Sequence, residues 1–172
     1  MLAHQKEGVM RESRVRFIRQ QGFDTLLTDD FYTALMLQPR LIGAIVALGI
    51  VVQSPLLFLV LSGVLLWSAL VPSRNPFDAI YNHAVARPRR LSPLGAAPAP
   101  RRFAMGMAGT VALAIGIALL VGADVTAWVF EGLFTVALIQ VIFGDVCGAA
   151  NLYHLLHRSR MARPSHSDAI LR

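Results

Sequence analysis

The sequence predicts an all-α integral membrane protein, with four transmembrane helices arranged as two hairpins and short amphipathic helices at the interface. Three observations predict it. Of 172 residues, 55% are hydrophobic and only 15% charged, against about 25% charged in a soluble domain. The apolar residues gather in long runs, at 41–71, 103–121 and 125–143. The 16 Lys and Arg avoid 41–73 and 103–157 and cluster at 6–40, 74–102 and 158–172, as in a membrane protein with basic cytoplasmic loops.

The net charge of +6 and a pI near 10.7 would suit a nucleic-acid binder, but the segregation of that charge between apolar runs argues against one. The lone cysteine, Cys147, excludes an intrachain disulfide and a cysteine-based structural metal site. No metal site is expected, and no cofactor is indicated. Residues 1–30 mix acids and bases without an apolar core, so they do not read as a signal peptide. Insertion is expected to rest on internal spans.

The chain divides into a basic N-terminal segment, 1–38, a membrane domain, 39–157, and a polar tail, 158–172. In the first segment, "VMRESRVRFIRQQ" (9–21) sets Val15, Phe17 and Ile18 among arginines. It reads either as a basic amphipathic helix on an anionic leaflet or as a solvated basic arm.

The run 41–71 holds 31 residues, roughly 46 Å as a helix, whereas a bilayer core of about 30 Å needs about 20. Gln53-Ser54-Pro55 lies at its middle. Pro55 lacks an N–H and disfavours a helical Ser54, yet suits the first turn of a new helix. Two helices are therefore expected, about 39–52 and 55–71; the alternative is one kinked, tilted span.

In the middle loop, Asn75 is an N-cap, Pro76 starts a short interfacial helix to about 86, and Asp78 sits near its positive end. "LSPLGAAPAPRR" (91–102) reads as extended linker. A third span follows at 103–121 and a fourth at 125–143, with helical extension to about 157. The turn between them, Gly122-Ala123-Asp124, carries an acid and no base. Two hairpins place every Lys and Arg on one side, so both termini are expected in the cytoplasm, and the location is the bacterial cytoplasmic (inner) membrane.

Several residues are candidates for function. Ala104, Ala108, Ala112 and Gly116 repeat every four residues, a small-residue pattern for close helix packing within the chain or between two copies. Glu131 lies about two turns into the fourth span, and an ionisable group there is costly. It is expected to be neutral, near water, or bonded to Thr110, Thr126, Thr135 or Ser62. Gln140, Gly144, Cys147, Asn151, His154 and Arg158 fall at helical spacing. That spacing puts them on one helical face. Cys147, Asn151 and His154 then converge, with His83, His157 or Asp145 as possible further ligands; the plainer alternative is a packed cysteine followed by interfacial Tyr153, His154 and His157. Asp145 is expected to pair with Arg101 or Arg102. Arg87, Arg89, Arg90, Arg101 and Arg102 are expected to face the membrane surface or a partner.

"NPFDAIYN" (75–82), "PAPRRF" (98–103) and "FGDVCGAANLY" (143–153) resemble a bacterial four-span membrane family known only as a domain of unknown function, numbered four-three-nine-five. The resemblance covers about 30–157. It implies a Cys-x-x-Cys pair followed by an acid and a tyrosine. Cys147 and Tyr153 match, but Ala150 stands at the second cysteine and Asn151 at the acid. A Cys-x-x-Cys pair would suggest thiol exchange or soft-metal binding; this chain supplies one thiol.

The absence of a complete catalytic constellation favours a non-catalytic component over an enzyme: a scaffold or accessory subunit of a membrane complex. Two alternatives stand beside it, a thiol-redox or sulfur-handling membrane protein using Cys147 and a small proton-coupled carrier using Glu131. The expected partners are the lipid bilayer and either other membrane subunits or a second copy of the chain, with nucleic acid excluded.

Overall fold

The structure, a computed structural model, describes residues 12–23 and 29–161, with backbone only for 158–161. Residues 1–11, 24–28 and 162–172, which include the start and an internal stretch of the basic N-terminal segment and most of the polar tail, lie outside the described residues. Among the described residues the chain is all-helical, with no strand. The helices are α1 (12–20), α2 (Asp29–Val52), α3 (Pro55–Leu70), α4 (Pro76–Tyr81), α5 (Arg87–Arg89), α6 (Ala99–Leu120), α7 (Asp124–Gly144) and α8 (Gly148–Met161). A 3-10 turn, Pro72–Arg74, precedes α4, and a π turn, Asn82–Ala86, joins α4 to α5.

Three helices, α2, α6 and α7, are long and apolar enough to cross a membrane. The fourth apolar helix, α3, has 16 residues, about 24 Å of helix against a hydrocarbon core of about 30 Å. α2 begins well before residue 39 and runs through Pro39. A proline inside a helix costs about 3 kcal/mol. Burial of Phe31, Leu35 and Met36 in the turns before it offsets that cost, at about 1.5–3 kcal/mol for each large side chain.

The break expected at Gln53-Ser54-Pro55 is present. Gln53 adopts a left-handed backbone, φ 50°. Ser54 caps α3 through its hydroxyl, which accepts from Leu57 N–H at 3.4 Å, and Pro55 opens the helix. The middle loop also follows its sequence. Asn75 Oδ1 accepts from Phe77 N–H at 3.1 Å, and 91–98 has no regular structure before α6. Asn82 pins that linker by bonding both the N–H and the carbonyl of Leu94.

One expectation is overturned. α7 does not extend to 157. It ends at Gly144, and Asp145 takes a left-handed conformation at φ 54°. After Val146 and Cys147 a separate helix, α8, begins. Gly144 and Gly148, poor helix formers, flank the interruption.

The closest pairing is α3 along α6. Two apolar clusters result. One lies within the bundle and joins Ile42, Val46, Phe58, Leu65, Ile115 and Phe134. The other lies where α1, the start of α2, α4 and α8 meet, around Phe17, Ile18, Met36, Tyr81 and Ala150. α1 thus turns Phe17 and Ile18 onto the protein itself, while Arg16 and Arg19 stay exposed. Burial and the nearby Asp30 push the Tyr81 phenol above its ordinary range, against an opposing pull from Arg89. α7 buries only Ala127, Glu131 and Phe134 and leaves Trp128, Leu133, Val136, Ile139 and Phe143 exposed. Exposed apolar surface on that scale suits lipid rather than water.

Candidate functional site

Between the two apolar clusters lies a buried polar layer. Gln38 comes from α2, Asn75 and Asp78 from the start of α4, and Arg101 from the first turn of α6. Arg101 is 4% exposed and Asp78 6%. The guanidinium grips the carboxylate with two hydrogen bonds, Nη2 to Oδ1 at 2.6 Å and Nη1 to Oδ2 at 3.3 Å. Arg101 Nη2 also donates to Gln38 Oε1 at 2.6 Å, and Asn75 Nδ2 donates to Asp78 Oδ2 at 2.8 Å. A buried charge pair survives only with such additional bonds. Arg101 is therefore not a surface residue, contrary to expectation. Arg102 is exposed and donates through Nε to the Ala69 carbonyl at 2.9 Å.

Beside this layer is a cavity of about 100 Å³. Arg101, Gln38, Gln21 and Cys147 contribute to its wall, and the rest is apolar, with Leu35, Ile42 and Phe134 among the lining residues. Cys147 is 8% exposed and carries a free thiol. It stands immediately before α8, with its carbonyl accepting from Asn151 N–H at 3.0 Å and its own N–H donating to Gln20 Oε1 at 3.2 Å.

Contrary to expectation, Cys147, Asn151 and His154 do not share one site: Cys147 is buried on the cavity wall, whereas Asn151 and His154 lie on the exposed side of α8, and the break after Gly144 separates Gln140 and Gly144 from all three. His154 Nε2 donates to the Gln20 carbonyl at 3.1 Å. His157 stacks on Tyr153, with ring centroids 4.0 Å apart. Among the described residues, no group of three or more His, Cys, Asp or Glu side chains is placed to hold a metal.

Asp145 pairs with neither Arg101 nor Arg102. It accepts from the Ser13 hydroxyl at 2.8 Å and from the Tyr32 hydroxyl, tying α1 and α2 to the α7–α8 junction. Arg14 lies over the Tyr32 ring, 5.0 Å from its centroid, and pairs with Asp29.

Glu131 is 4% exposed. Its partner is none of the expected hydroxyls. Gln53 Nε2 reaches back from the α2–α3 turn to both carboxylate oxygens at 3.3 Å, while also donating to the Ile50 carbonyl at 2.7 Å. Ser62 instead donates to the Gly109 carbonyl at 2.8 Å.

The small-residue series splits between two faces. Ala104 and Ala108 border the cavity, Ala112 is in the bundle core, and Gly116 meets Leu59 of α3. Four-residue steps overshoot a 3.6-residue turn by about 40° each, so the series winds around the helix. Arg87, Arg89 and Arg90 are exposed in the middle loop, before its irregular stretch 91–98.

A family profile described as a domain of unknown function (DUF4395) matches residues 34–158. The chain belongs to this family. The match runs from the first buried turns of α2 into α8, so the polar layer and Cys147 fall inside the family's region, while Gln21 precedes it. No curated protein and no solved structure matches the chain.

Sequence reasoning missed Gln38 and Gln21. Gln38 carried a signal, being a lone amide in the apolar stretch "LMLQPRLIG" (35–43). The Asp78–Arg101 pair also had one, since its members sit in two of the motifs that carried the family resemblance.

Proposed function

We propose that the chain is a four-crossing protein of the bacterial inner membrane, with both termini cytoplasmic, that serves as a non-catalytic accessory subunit or scaffold. One observation carries this reading. Arg87, Arg89 and Arg90 stand exposed within a middle loop that is itself fastened to the bundle. The Arg101–Asp78 pair and the Asn82 clamp on Leu94 hold that loop in one place. A rigid basic platform recognises an acidic partner surface at lower entropic cost than a loose loop does. The turns at Gln53-Ser54 and Gly122-Asp124 carry no Lys or Arg, which supports the assignment of the basic side to the cytoplasm.

The apolar exposure of α7 supports the membrane setting and supplies a face for lipid or another subunit. In this reading α3 crosses despite its length, because the Pro72–Arg74 turn and local bilayer thinning absorb the mismatch.

The test is co-purification of membrane partners with the parent protein and with the triple variant Arg87→Ser, Arg89→Ser, Arg90→Ser. Partners recovered with the parent at low salt are expected to fall away in the variant and in high salt. A variant that keeps the same partners at the same yield would falsify the docking role.

A further inference from the structure

We propose that the cavity beside the polar layer binds a neutral lipid whose head carries a carbonyl oxygen and whose tail lies between α6 and α7. The argument begins with hydrogen bonds that are missing. Arginine has donors and no acceptor. The Gln38 oxygen therefore faces Arg101, at 2.6 Å, which leaves the Gln38 NH2 as the free end of that amide. Gln21 makes no side-chain hydrogen bond to any described residue. Both glutamines are more than nine-tenths buried, and both line the same cavity. Among the described residues, no side-chain N or O that is sealed inside the protein lacks a partner. The unpaired amide groups therefore border open space, and that space is the cavity. Buried amides left without partners are costly, so the cavity is built for something that accepts their hydrogen bonds.

Charge decides the kind of head. Asp78 already neutralises Arg101 through two bonds, and the glutamine amides are uncharged. The polar end therefore offers donors without net charge, which selects a neutral acceptor such as a carbonyl over a carboxylate or phosphate.

The second cavity decides the tail. A slot of about 270 Å³ shares Ala104, Ala108, Phe134 and Cys147 with the first cavity and continues past Met107 and Leu133. Both of those side chains are exposed, on the face that meets lipid if α6 and α7 cross the bilayer. Arg101 marks the interfacial end of α6, and the slot runs from there toward the middle of α6 and α7. An amphiphile would thus keep its head at the interface and its tail in hydrocarbon, as it does in a leaflet. Ligand sites of this kind are largely apolar with a few placed polar groups.

The slot's outlet rests on the membrane reading. The binding does not, so it is tested in detergent. Cys147 lines both cavities and is the sole cysteine, which makes it a reporter. Purified full-length protein is labelled with N-ethylmaleimide, and the rate is read by mass spectrometry with and without each of three probes. The probes are a fully ring-substituted benzoquinone with a decyl tail, monoolein, and oleate as the anionic control. One of the neutral lipids is expected to slow labelling several-fold, with oleate without effect. Whichever protects names the head class, quinone or acylglycerol. Gln21→Leu is expected to weaken protection about fivefold, the effect of one lost hydrogen bond. Ala108→Phe, which fills the slot and leaves the amides intact, is expected to abolish it. Protection by neither neutral lipid, equal protection by oleate, or protection unchanged in Ala108→Phe overturns the proposal.

Discussion

At the residue scale, Arg101 shows how a fold reassigns a charge. In the sequence it stands beside Arg102 in a basic stretch, and nothing local separates the two. In the structure one is sealed against Asp78 and Gln38 and the other is exposed. Breaking a buried ion pair strands a charge and typically costs about 3–5 kcal/mol, whereas replacing both members with apolar groups is often neutral. Arg101→Leu and Asp78→Leu are each expected to lower the melting temperature in detergent sharply. The double replacement should recover much of the loss. Single variants that melt with the parent would remove the structural role given to the pair. Glu131 teaches the same lesson. Its depth and cost were readable, but its partner Gln53 lies 78 positions away, and no spacing rule links a helix residue to a turn on another helix.

At the scale of elements, α3 and α6 approach closely because α6 lacks side chains where they meet. A Cβ at Gly116 would lie 2.8 Å from the Leu59 side chain and 3.3 Å from its backbone nitrogen. The side chain can swing away, but the backbone cannot. At Gly106 the nearest atom is the Ala69 Cβ, at an ordinary 3.8 Å. Gly116→Ala is therefore expected to destabilise by about 1–3 kcal/mol, the usual cost of overpacking. Gly106→Ala should be neutral or slightly stabilising, through better helix propensity. Equal melting of the two variants would contradict the packing account. Helix starts were legible wherever capping chemistry marks them, as at Ser54-Pro55 and Asn75-Pro76. The end of α7 was not. Val146 and Cys147 continue an apolar helical pattern, and Asp145 enters its left-handed turn where Ser13 and Tyr32, far away in sequence, hold its carboxylate.

At the scale of the molecule, the distribution of charge sets the expected topology. Arg90, at the end of α5, and Gly122, between α6 and α7, are both exposed and lie on opposite sides in the four-crossing arrangement. In a Cys147→Ser background, Arg90→Cys is expected to react with a membrane-impermeant maleimide only in inverted vesicles. Gly122→Cys should react only in right-side-out ones. Labelling of both from one side would overturn the arrangement and the inside placement of the termini with it.

The sequence by itself determined the helical class, the apolar runs, the break at Gln53-Ser54 and the segregation of basic residues. Each of these follows from hydrophobicity, proline geometry and charge counted along the chain. It also carried the family resemblance, in three short motifs. The tertiary structure alone decided which polar residues are buried and with whom: Arg101 with Asp78 and Gln38, Glu131 with Gln53, Asp145 with Ser13 and Tyr32. It alone placed Gln21 and Cys147 around one cavity. The reason is physical. Helix formation and partition into an apolar setting depend on runs of neighbouring residues, whereas a buried polar group is satisfied by whatever donor or acceptor the packing of distant helices brings within about 3 Å.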